Sequence, residues 1–260
     1  MTAPGCVPVT AEIVAVRQDG AARVLTLAVP AAVAAPRPGQ FLQVPPRAGQ
    51  ADVLPRTWWL SGGRSDPAHG TTLEAVVPGT GAWYPGDELT VRGPLGRGFP
   101  LPSEPVDAVV VGHEPGQAPA RWLAALLRDR GCPTTLVLSA RDADHHLDLV
   151  PARRVADRVL LSTPDDLPPL LRGPVAGTSF DLLYAVGPRP VVDTGVAVAA
   201  EVGAASQVTA FDAGDGRWCG VGLCGACATV AATATGRRHV LPCAVGPVLP
   251  GDRLVAGGPR

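Results

Sequence analysis

Short apolar runs separated by Gly/Pro turns mark the first hundred residues. The runs lie at residues 7–16, 22–29, 39–44, 71–77 and 87–91, with apolar side chains that alternate with polar ones or follow one another directly. Alternation with a period of two is typical of strands, and turns at this spacing favour an all-β arrangement. We therefore expect a small antiparallel β-barrel over residues 1–100.

The pattern changes after residue 100. Continuous apolar runs predict four buried strands, and helical periodicity predicts two helices. The strands are expected at residues 108–112, 134–139, 155–162 and 181–186, and the helices at 119–130 and 191–202. Because strands alternate with helices, we expect a parallel sheet. The predicted fold class is multidomain α/β plus β: the barrel, a Rossmann-like α/β domain over residues 101–205, and a small C-terminal domain over residues 206–260.

Composition narrows the function only slightly. The chain has 260 residues, of which 46% are hydrophobic and 17% charged, which is typical of a globular protein with two or three domains. The net charge of −1 gives no basic footprint for a nucleic-acid partner. No apolar stretch is long enough to span a bilayer, so we expect a soluble cytoplasmic protein without a membrane partner.

Four of the six cysteines fall near the C-terminal end with the spacing C-x4-C-x2-C-x15-C. They are Cys219, Cys224, Cys227 and Cys243. The first three reproduce the plant-type [2Fe–2S] spacing, in which the fourth ligand comes from a later segment. Three glycines lie between the ligands, and they allow the positive φ values that a tight wrap around a small inorganic core requires. These are Gly220, Gly222 and Gly225.

Zinc and disulfides are the alternatives. Structural zinc sites favour two C-x2-4-C pairs, whereas here a lone Cys243 follows a triplet. Disulfides would require an oxidising compartment, and no signal-peptide pattern is visible. The sequence therefore favours a [2Fe–2S] cluster, and Cys6 and Cys132, which have no partner spacing, are expected to be small hydrophobic residues.

Five further segments carry a resemblance to a known family. They read P-G-Q-F at 38–41, G-D-E-L at 86–89, G-P-L-G-R-G-F at 93–99, G-P-R-P at 187–190 and C-A-V-G-P-V at 243–248. With the order barrel, α/β domain and cysteine segment, they make essentially the whole chain resemble the ferredoxin-reductase superfamily. The likeness is greatest to the electron-transfer (iron–sulfur flavoprotein) subunits of NAD-linked bacterial dihydroorotate dehydrogenase.

The resemblance implies cofactors and a partner. In that family the barrel holds FAD, the α/β domain receives NAD(H), and the C-terminal segment holds [2Fe–2S]. The subunit passes electrons between NAD and a flavin-dependent dehydrogenase catalytic subunit, so a heterotetramer with that subunit is expected. No catalytic side chain is assigned, because such a protein supplies cofactor geometry and electrostatics.

The flavin motif of the family, R-P-x-S, is altered in this chain. Arg56 stands where the family's arginine meets the FAD pyrophosphate, but Trp59 stands at the serine position, unless Ser61 replaces that serine through a local shift. Trp58 or Trp59 could stack on a flavin ring or could pack the barrel. The family's second flavin segment is retained as G-T-G at 79–81. The candidate flavin-binding residues are Arg56, Thr57, Trp58, Trp59, Ser61, Gly79, Thr80, Gly81 and Gly96.

The nicotinamide motif of the family, G-G-G-x-G-x-A-P, is altered more severely. Residues 112–119 read G-H-E-P-G-Q-A-P, so that His113 and Glu114 replace two glycines and Pro115 removes an N–H donor. A dinucleotide turn needs bare backbone against phosphate, so we expect weak NAD(P)H binding. Val186 also stands where the family has a cysteine.

Two histidines, His145 and His146, lie among Asp142, Asp144 and Asp148 and could suggest a metal site, although we expect a solvated loop there. Three functions remain open. The first is an iron–sulfur, FAD-containing electron-transfer subunit that serves a flavoprotein dehydrogenase. The second is a stand-alone reductase for an oxygenase or tailoring enzyme, and the third is a non-catalytic cluster relay or scaffold without NAD binding.

Overall fold

The computed structural model describes residues 7–46, 53–66, 68, 70–177, 179–211 and 216–255. Cys6 and the outer ends of the segments assigned to the first and third domains lie outside the described residues.

Six antiparallel strands close into a barrel in the N-terminal part of the chain. They are β1 (Val9–Asp19), β2 (Ala22–Val29), β3 (Phe41–Val44), β4 (Arg56–Asp66), β5 (Gly70–Pro78) and β6 (Glu88–Leu95). Around the barrel they follow the order β1-β2-β5-β4-β3-β6. The predicted barrel is confirmed.

The barrel interior is filled by side chains at every second position, as the sequence pattern predicts. In β5, for example, Leu73, Ala75 and Val77 are buried in one cluster with residues of the other strands, including Ile13 and Leu60. Burial of alternate positions fixes the register, because a shift by one residue would turn the apolar side chains outward.

A second sheet follows, with helices packed against it. Its strands are β7 (Ala108–His113), β8 (Thr134–Ser139), β9 (Arg158–Ser162), β10 (Leu182–Val186), β11 (Ala205–Thr209) and the later β14 (Val248–Pro250). The helices are α1 (Gln117–Arg128), α2 (Leu149–Val155), α3 (Leu167–Leu170) with the π-helical turn Leu171–Val175, and α4 (Arg189–Val202). The order is β14-β11-β10-β7-β8-β9, and every neighbouring pair is parallel except β11 with β14. The predicted parallel α/β sheet is confirmed.

Strand order sets where this sheet can bind a ligand. From β7 the chain moves outward through β8 to β9 and then returns to β10 on the other side of β7. Ligands of open α/β sheets bind beside the carboxyl ends of the strands near such a switch point. The turn from β7 into α1, at residues 113–116, lies at that end of the sheet.

The cysteine segment is inserted between two strands of the α/β sheet. It contains the hairpin β12 (Thr229–Thr233) and β13 (Gly236–Val240), followed by the short helix α5 (Pro242–Val245). The predicted boundary at residue 206 falls within β11, and β14 lies beyond it. The sheet therefore takes two of its strands from the segment assigned to the third domain.

Buried contacts join the barrel to the α/β sheet. Phe41 and Trp59 of the barrel belong to the same apolar cluster as Val110 and Leu123 of the α/β part. Arg121 of α1 also forms an ion pair with the fully buried Asp19 at the end of β1. In the described part of the chain, no helix has the length and apolarity needed to cross a membrane.

Candidate functional site between the barrel and the sheet

A cavity of about 260 Å³ lies between the barrel and the carboxyl end of the α/β sheet. The barrel contributes Thr57 and Trp59 from β4 and the turn after β5, and the α/β part contributes the residues that follow β7 and β8. Ligand pockets commonly measure about 300–1,000 Å³, so the cavity suits a ring system or one part of a dinucleotide.

Four of the nine candidate flavin-binding residues lie together in the wall of this cavity. They are Thr57, Trp59, Gly79 and Thr80. The Thr57 hydroxyl and the Trp59 indole N–H are both buried, and neither has a hydrogen-bond partner among the described residues. Buried polar groups are normally hydrogen-bonded, so these two groups are available to form hydrogen bonds with a polar ligand in the cavity.

Arg56 and Trp58 point away from this cavity. They line a second, smaller cavity of about 210 Å³ together with Trp83, which follows the turn at 79–81. Trp58 packs in the barrel core, edge to face against Trp83, with the ring centroids 5.3 Å apart. Trp58 therefore fills the packing role that the sequence left open for it.

Three other candidates also lie away from the cavity wall. The Ser61 hydroxyl donates a hydrogen bond to the Glu74 carbonyl oxygen at 3.4 Å, and the Gly81 carbonyl accepts one from the Arg23 guanidinium at 2.8 Å. Gly96 has a φ of +81°, and a Cβ there would overlap Pro247. Since Pro247 follows the last cysteine closely, the G-P-L-G run fixes the barrel against the cysteine segment.

The altered nicotinamide turn keeps a glycine-like backbone. Glu114 has a φ of +45°, which L-residues rarely adopt. Its carboxylate pairs with the Arg141 guanidinium, with 3.0 Å between Oε1 and Nε, and both residues line the cavity. Sequence reasoning missed Arg141, for which the available signal was its position two residues after a predicted strand.

The loop after β8 completes this end of the cavity, and His113 directly precedes Glu114 of the cavity wall. The His113 Nδ1 lies 3.0 Å from the Ser139 hydroxyl, and burial lowers the pKa of His113. His145 lies in the cavity wall and contacts the Asp142 carboxylate at 2.5 Å. The three aspartates of this loop are exposed, and the loop also contacts the barrel, because the His146 carbonyl accepts a hydrogen bond from the Ala21 N–H at 3.1 Å.

The predicted cysteines lie on a loop whose glycines have the conformations that the sequence predicted. Gly220, Gly222 and Gly225 have φ values of +69°, +75° and +73°. Backbone N–H groups therefore turn toward sulfur: those of Leu223 and Cys224 lie 3.0 and 3.3 Å from the Cys219 Sγ.

Hydrogen bonds shift the thiol pKa values. Burial raises the pKa of Cys219, but N–H groups of residues 221, 223 and 224 outweigh it and the pKa is lowered. The Cys243 thiol lowers the pKa of Cys227 to about 7, and the same contact raises the pKa of Cys243.

The four thiols form one connected group. Cys219 is hydrogen-bonded to Cys224 and to Cys243, and Cys243 is also hydrogen-bonded to Cys227. In the described part of the chain, no group of three or more His, Cys, Asp or Glu side chains could hold a single metal ion. The histidines and aspartates at residues 142–148 form no such group either.

The cysteine loop is held against the barrel beside the cavity. The Gln43 amide of β3 donates a hydrogen bond to the Trp218 carbonyl, and a Cβ on Gly220 would overlap the Gln43 side chain. Aromatic rings fill the space between loop and cavity: Trp59 stacks on Phe211, and Phe211 contacts Trp218 with 5.7 Å between centroids. Trp218 directly precedes Cys219.

Two curated proteins similar to this chain are named as electron transfer subunits of the same enzyme. A Methanopyrus kandleri protein named as a probable dihydroorotate dehydrogenase B (NAD(+)), electron transfer subunit, is 29% identical over 253 residues, which are 93% of this chain and 89% of that protein. The electron transfer subunit of Geobacillus thermodenitrificans is 32% identical over 180 residues, which are 66% of each chain. No protein-family model matches the chain.

Solved structures share the fold. A structure of an NADH-dependent reduced ferredoxin-NADP oxidoreductase, described for flavin-based electron bifurcation, superposes with a TM-score of 0.69 and 23% identity over 94% of this chain and 89% of that one. A ferredoxin reductase of carbazole 1,9a-dioxygenase gives a TM-score of 0.58 and 21% identity over 76% of this chain and 65% of its own. At these identities the likeness shows the fold alone.

Proposed function

Because the chain belongs to the family of dihydroorotate dehydrogenase B electron-transfer subunits, we propose that it is an iron–sulfur, FAD-containing electron-transfer subunit. Its partner is a flavoprotein dehydrogenase subunit that acts on dihydroorotate, and its pathway is pyrimidine biosynthesis. The observation that carries the proposal is the group of four linked thiols beside a cavity between barrel and sheet.

The cysteine group supports a two-iron centre in preference to zinc. A [2Fe–2S] cluster with four cysteines takes two thiolates on each iron, whereas structural zinc draws four ligands around one point. The thiols are linked in the order Cys224, Cys219, Cys243 and Cys227, and among the described residues no three of them are placed around one metal ion. N–H groups directed at Cys219 would stabilise negative charge on the bound cluster.

The cavity supports a flavin ring system in its wall. Thr80 and the backbone of Gly79 offer hydrogen bonds at one end, and the unpaired polar atoms of Thr57 and Trp59 lie on the barrel side. Arg56 lies on the far side of the same turn and can meet a phosphate only if the ligand extends past residues 79–83. A flavin bound there would convert two-electron transfer into single-electron transfer.

The test is cofactor analysis of the anaerobically purified protein. We expect iron, acid-labile sulfide and FAD, and we expect Cys224→Ser to lose most of the iron. Cys132→Ser is the matched control, because Cys132 lies just beyond the end of α1, where its N–H donates to the Leu127 carbonyl, and not in the cysteine loop. Tightly bound zinc without sulfide would contradict the cluster, and iron and sulfide without any flavin uptake would leave only the relay function.

Partner binding is tested separately. The protein, co-expressed with a flavin-dependent dihydroorotate dehydrogenase subunit from the same genome, should co-purify with it as a stable complex. In that complex dihydroorotate should reduce the iron–sulfur chromophore, and failure of this reduction in an intact complex would exclude the assigned partner.

A further inference from the structure

Glu114 is held in an unusual backbone conformation by a pair of contacts. Its φ of +45° lies in the left-handed region, which costs an L-residue conformational energy. Its carboxylate lies 3.0 and 3.4 Å from the Arg141 Nε and Nη2 atoms and 3.7 Å from the His113 Nε2. Solvation of a surface residue does not explain why Glu114 keeps a positive φ and an ion pair with Arg141.

The location of the pair supplies that reason. Glu114 follows β7 and Arg141 follows β8, so both stand at the carboxyl ends of neighbouring parallel strands. Both side chains line the cavity, and this edge of an α/β sheet is where nucleotides bind. A guanidinium recognises phosphate with the same paired geometry that it offers to a carboxylate.

A second ion pair in the α/β part serves as a comparison, because it is an exposed surface pair. Arg172 and Glu201 join a π-helical turn to α4 at 2.9 Å, with about half of each side chain exposed. Glu114, by contrast, is 22% exposed, while Arg141 is 63% exposed. The carboxylate is thus shielded in the cavity wall, and the cation remains accessible to a ligand.

We propose that Arg141 is the centre of an anion-binding site in the cavity and that Glu114 is its internal competitor. In the ligand-free protein the Glu114 carboxylate occupies the guanidinium, and a phosphate group of a nucleotide must displace it to bind. The proposal deepens the proposed function and rests on it for the nucleotide as ligand class. It explains how a chain can keep a nucleotide-binding edge and bind nucleotides weakly.

The competitor lowers affinity by limiting the fraction of protein with a free Arg141. An apparent dissociation constant rises in inverse proportion to the competent fraction, so removing the competitor restores affinity. Glu114→Gln keeps the size of the side chain but removes the charge. We expect binding of a phosphorylated ligand to tighten by about fivefold, the upper scale of an ion pair with an exposed partner.

The experiment measures binding by calorimetry with the anaerobically purified holoprotein. The probes are adenosine diphosphate, which cannot exchange electrons, and adenosine, which carries no phosphate. Glu114→Gln should tighten adenosine diphosphate and leave adenosine unchanged, Arg141→Gln should weaken adenosine diphosphate, and Glu201→Gln should change neither. In the Arg141→Gln background, Glu114→Gln should give no gain.

Three results would overturn the proposal. The first is an unchanged or weaker affinity of Glu114→Gln for adenosine diphosphate. The second is an equal gain in affinity for adenosine. The third is an equal gain for adenosine diphosphate with and without Arg141, which would mean that Glu114 only repels the phosphate. Iron, sulfide and flavin are measured in every preparation. Their absence would refute the proposed function, whereas normal cofactor content with an unchanged affinity would refute only the competitor.

Discussion

The indole ring of Trp59 lies parallel to the phenyl ring of Phe211, with 5.9 Å between centroids and 9° between planes. Trp59 belongs to the cavity wall, and Phe211 follows the last parallel strand of the sheet. Because Phe211 also contacts Trp218, three rings form a row from the cavity to Cys219. The residue at the family's serine position therefore joins the barrel, the sheet and the cysteine loop.

Replacing Trp59 by serine, the residue that the family has at this position, should destabilise the protein. Trp59 is 1% exposed in the shared core, and truncating a buried tryptophan costs about 3–5 kcal/mol. Urea unfolding should show that loss as a lower free energy of unfolding. Trp59→Phe keeps a ring against Phe211 and should lose less than half as much, and an unchanged Trp59→Ser would show that the stack carries no stability.

Sequence patterns predicted the architecture because the strongest patterns belong to buried elements. The run at 108–112 became the fully buried β7, and the glycines of the cysteine loop have the predicted positive φ values. The hairpin of β12 and β13 escaped prediction because β13 is almost wholly exposed and has no apolar period. The return of β14 to the α/β sheet depends on tertiary pairing that three residues cannot encode.

Two glycines of the cysteine loop allow the cost of steric overlap to be distinguished from the cost of a positive φ. Gly220 and Gly225 have almost equal φ values, but a Cβ would overlap Gln43 at Gly220 and meets nothing within 4 Å at Gly225. Gly225→Ala should cost only the left-handed conformation, about 1–2 kcal/mol. Gly220→Ala should cost more and also lower the iron content, because the loop must move off β3.

Unfolding curves and iron analysis of the two alanine variants check this prediction. Equal losses at both positions would show that the contact between the loop and Gln43 has no role in placing the cysteines.

The buried ion pair between Asp19 and Arg121 should be essential for joining the barrel to α1. Asp19 is fully buried and also accepts a hydrogen bond from the Asp148 N–H at 2.9 Å. Asp19→Asn removes the charge and leaves Arg121 buried without its counter-ion, which should cost about 3–5 kcal/mol. Glu201→Gln, at the exposed pair with Arg172, should cause no measurable loss in the same unfolding assay.

An Asp19→Asn variant with wild-type stability would mean that neutral acceptors, such as the Asp148 carbonyl oxygen 2.7 Å from the Arg121 Nη1, satisfy the guanidinium without a counter-ion. Arg17 adds to the expected loss, because its guanidinium lies 3.6 Å from the Asp19 carboxylate and would lose the same counter-ion.

The functional residues were harder to predict than the fold. Arg56 and Thr80 are close in the family's motif order, but the barrel places them on different sides of a turn. Arg141 belongs to no motif, and its significance comes from Glu114, which a sequence shows only as a lost glycine. Pairing across strands is a property of the folded sheet, so neither contact was visible in the sequence.

The last prediction concerns pH and His113. Burial lowers the pKa of His113 from 6.5, because the charged imidazolium would lose its hydration; Glu114 opposes the shift, and Arg141 and His146 add to it. When the pH falls through 6.5, the unfolded chain therefore binds a proton that the folded protein does not, and stability decreases.

His113→Gln removes that titration and should lose less stability between pH 7.5 and 5.5 than the wild type. His146→Gln provides the comparison, because burial also lowers the pKa of His146. Urea unfolding at both pH values measures the difference, and an equal loss in wild type and His113→Gln would show that His113 becomes charged without cost in the folded protein.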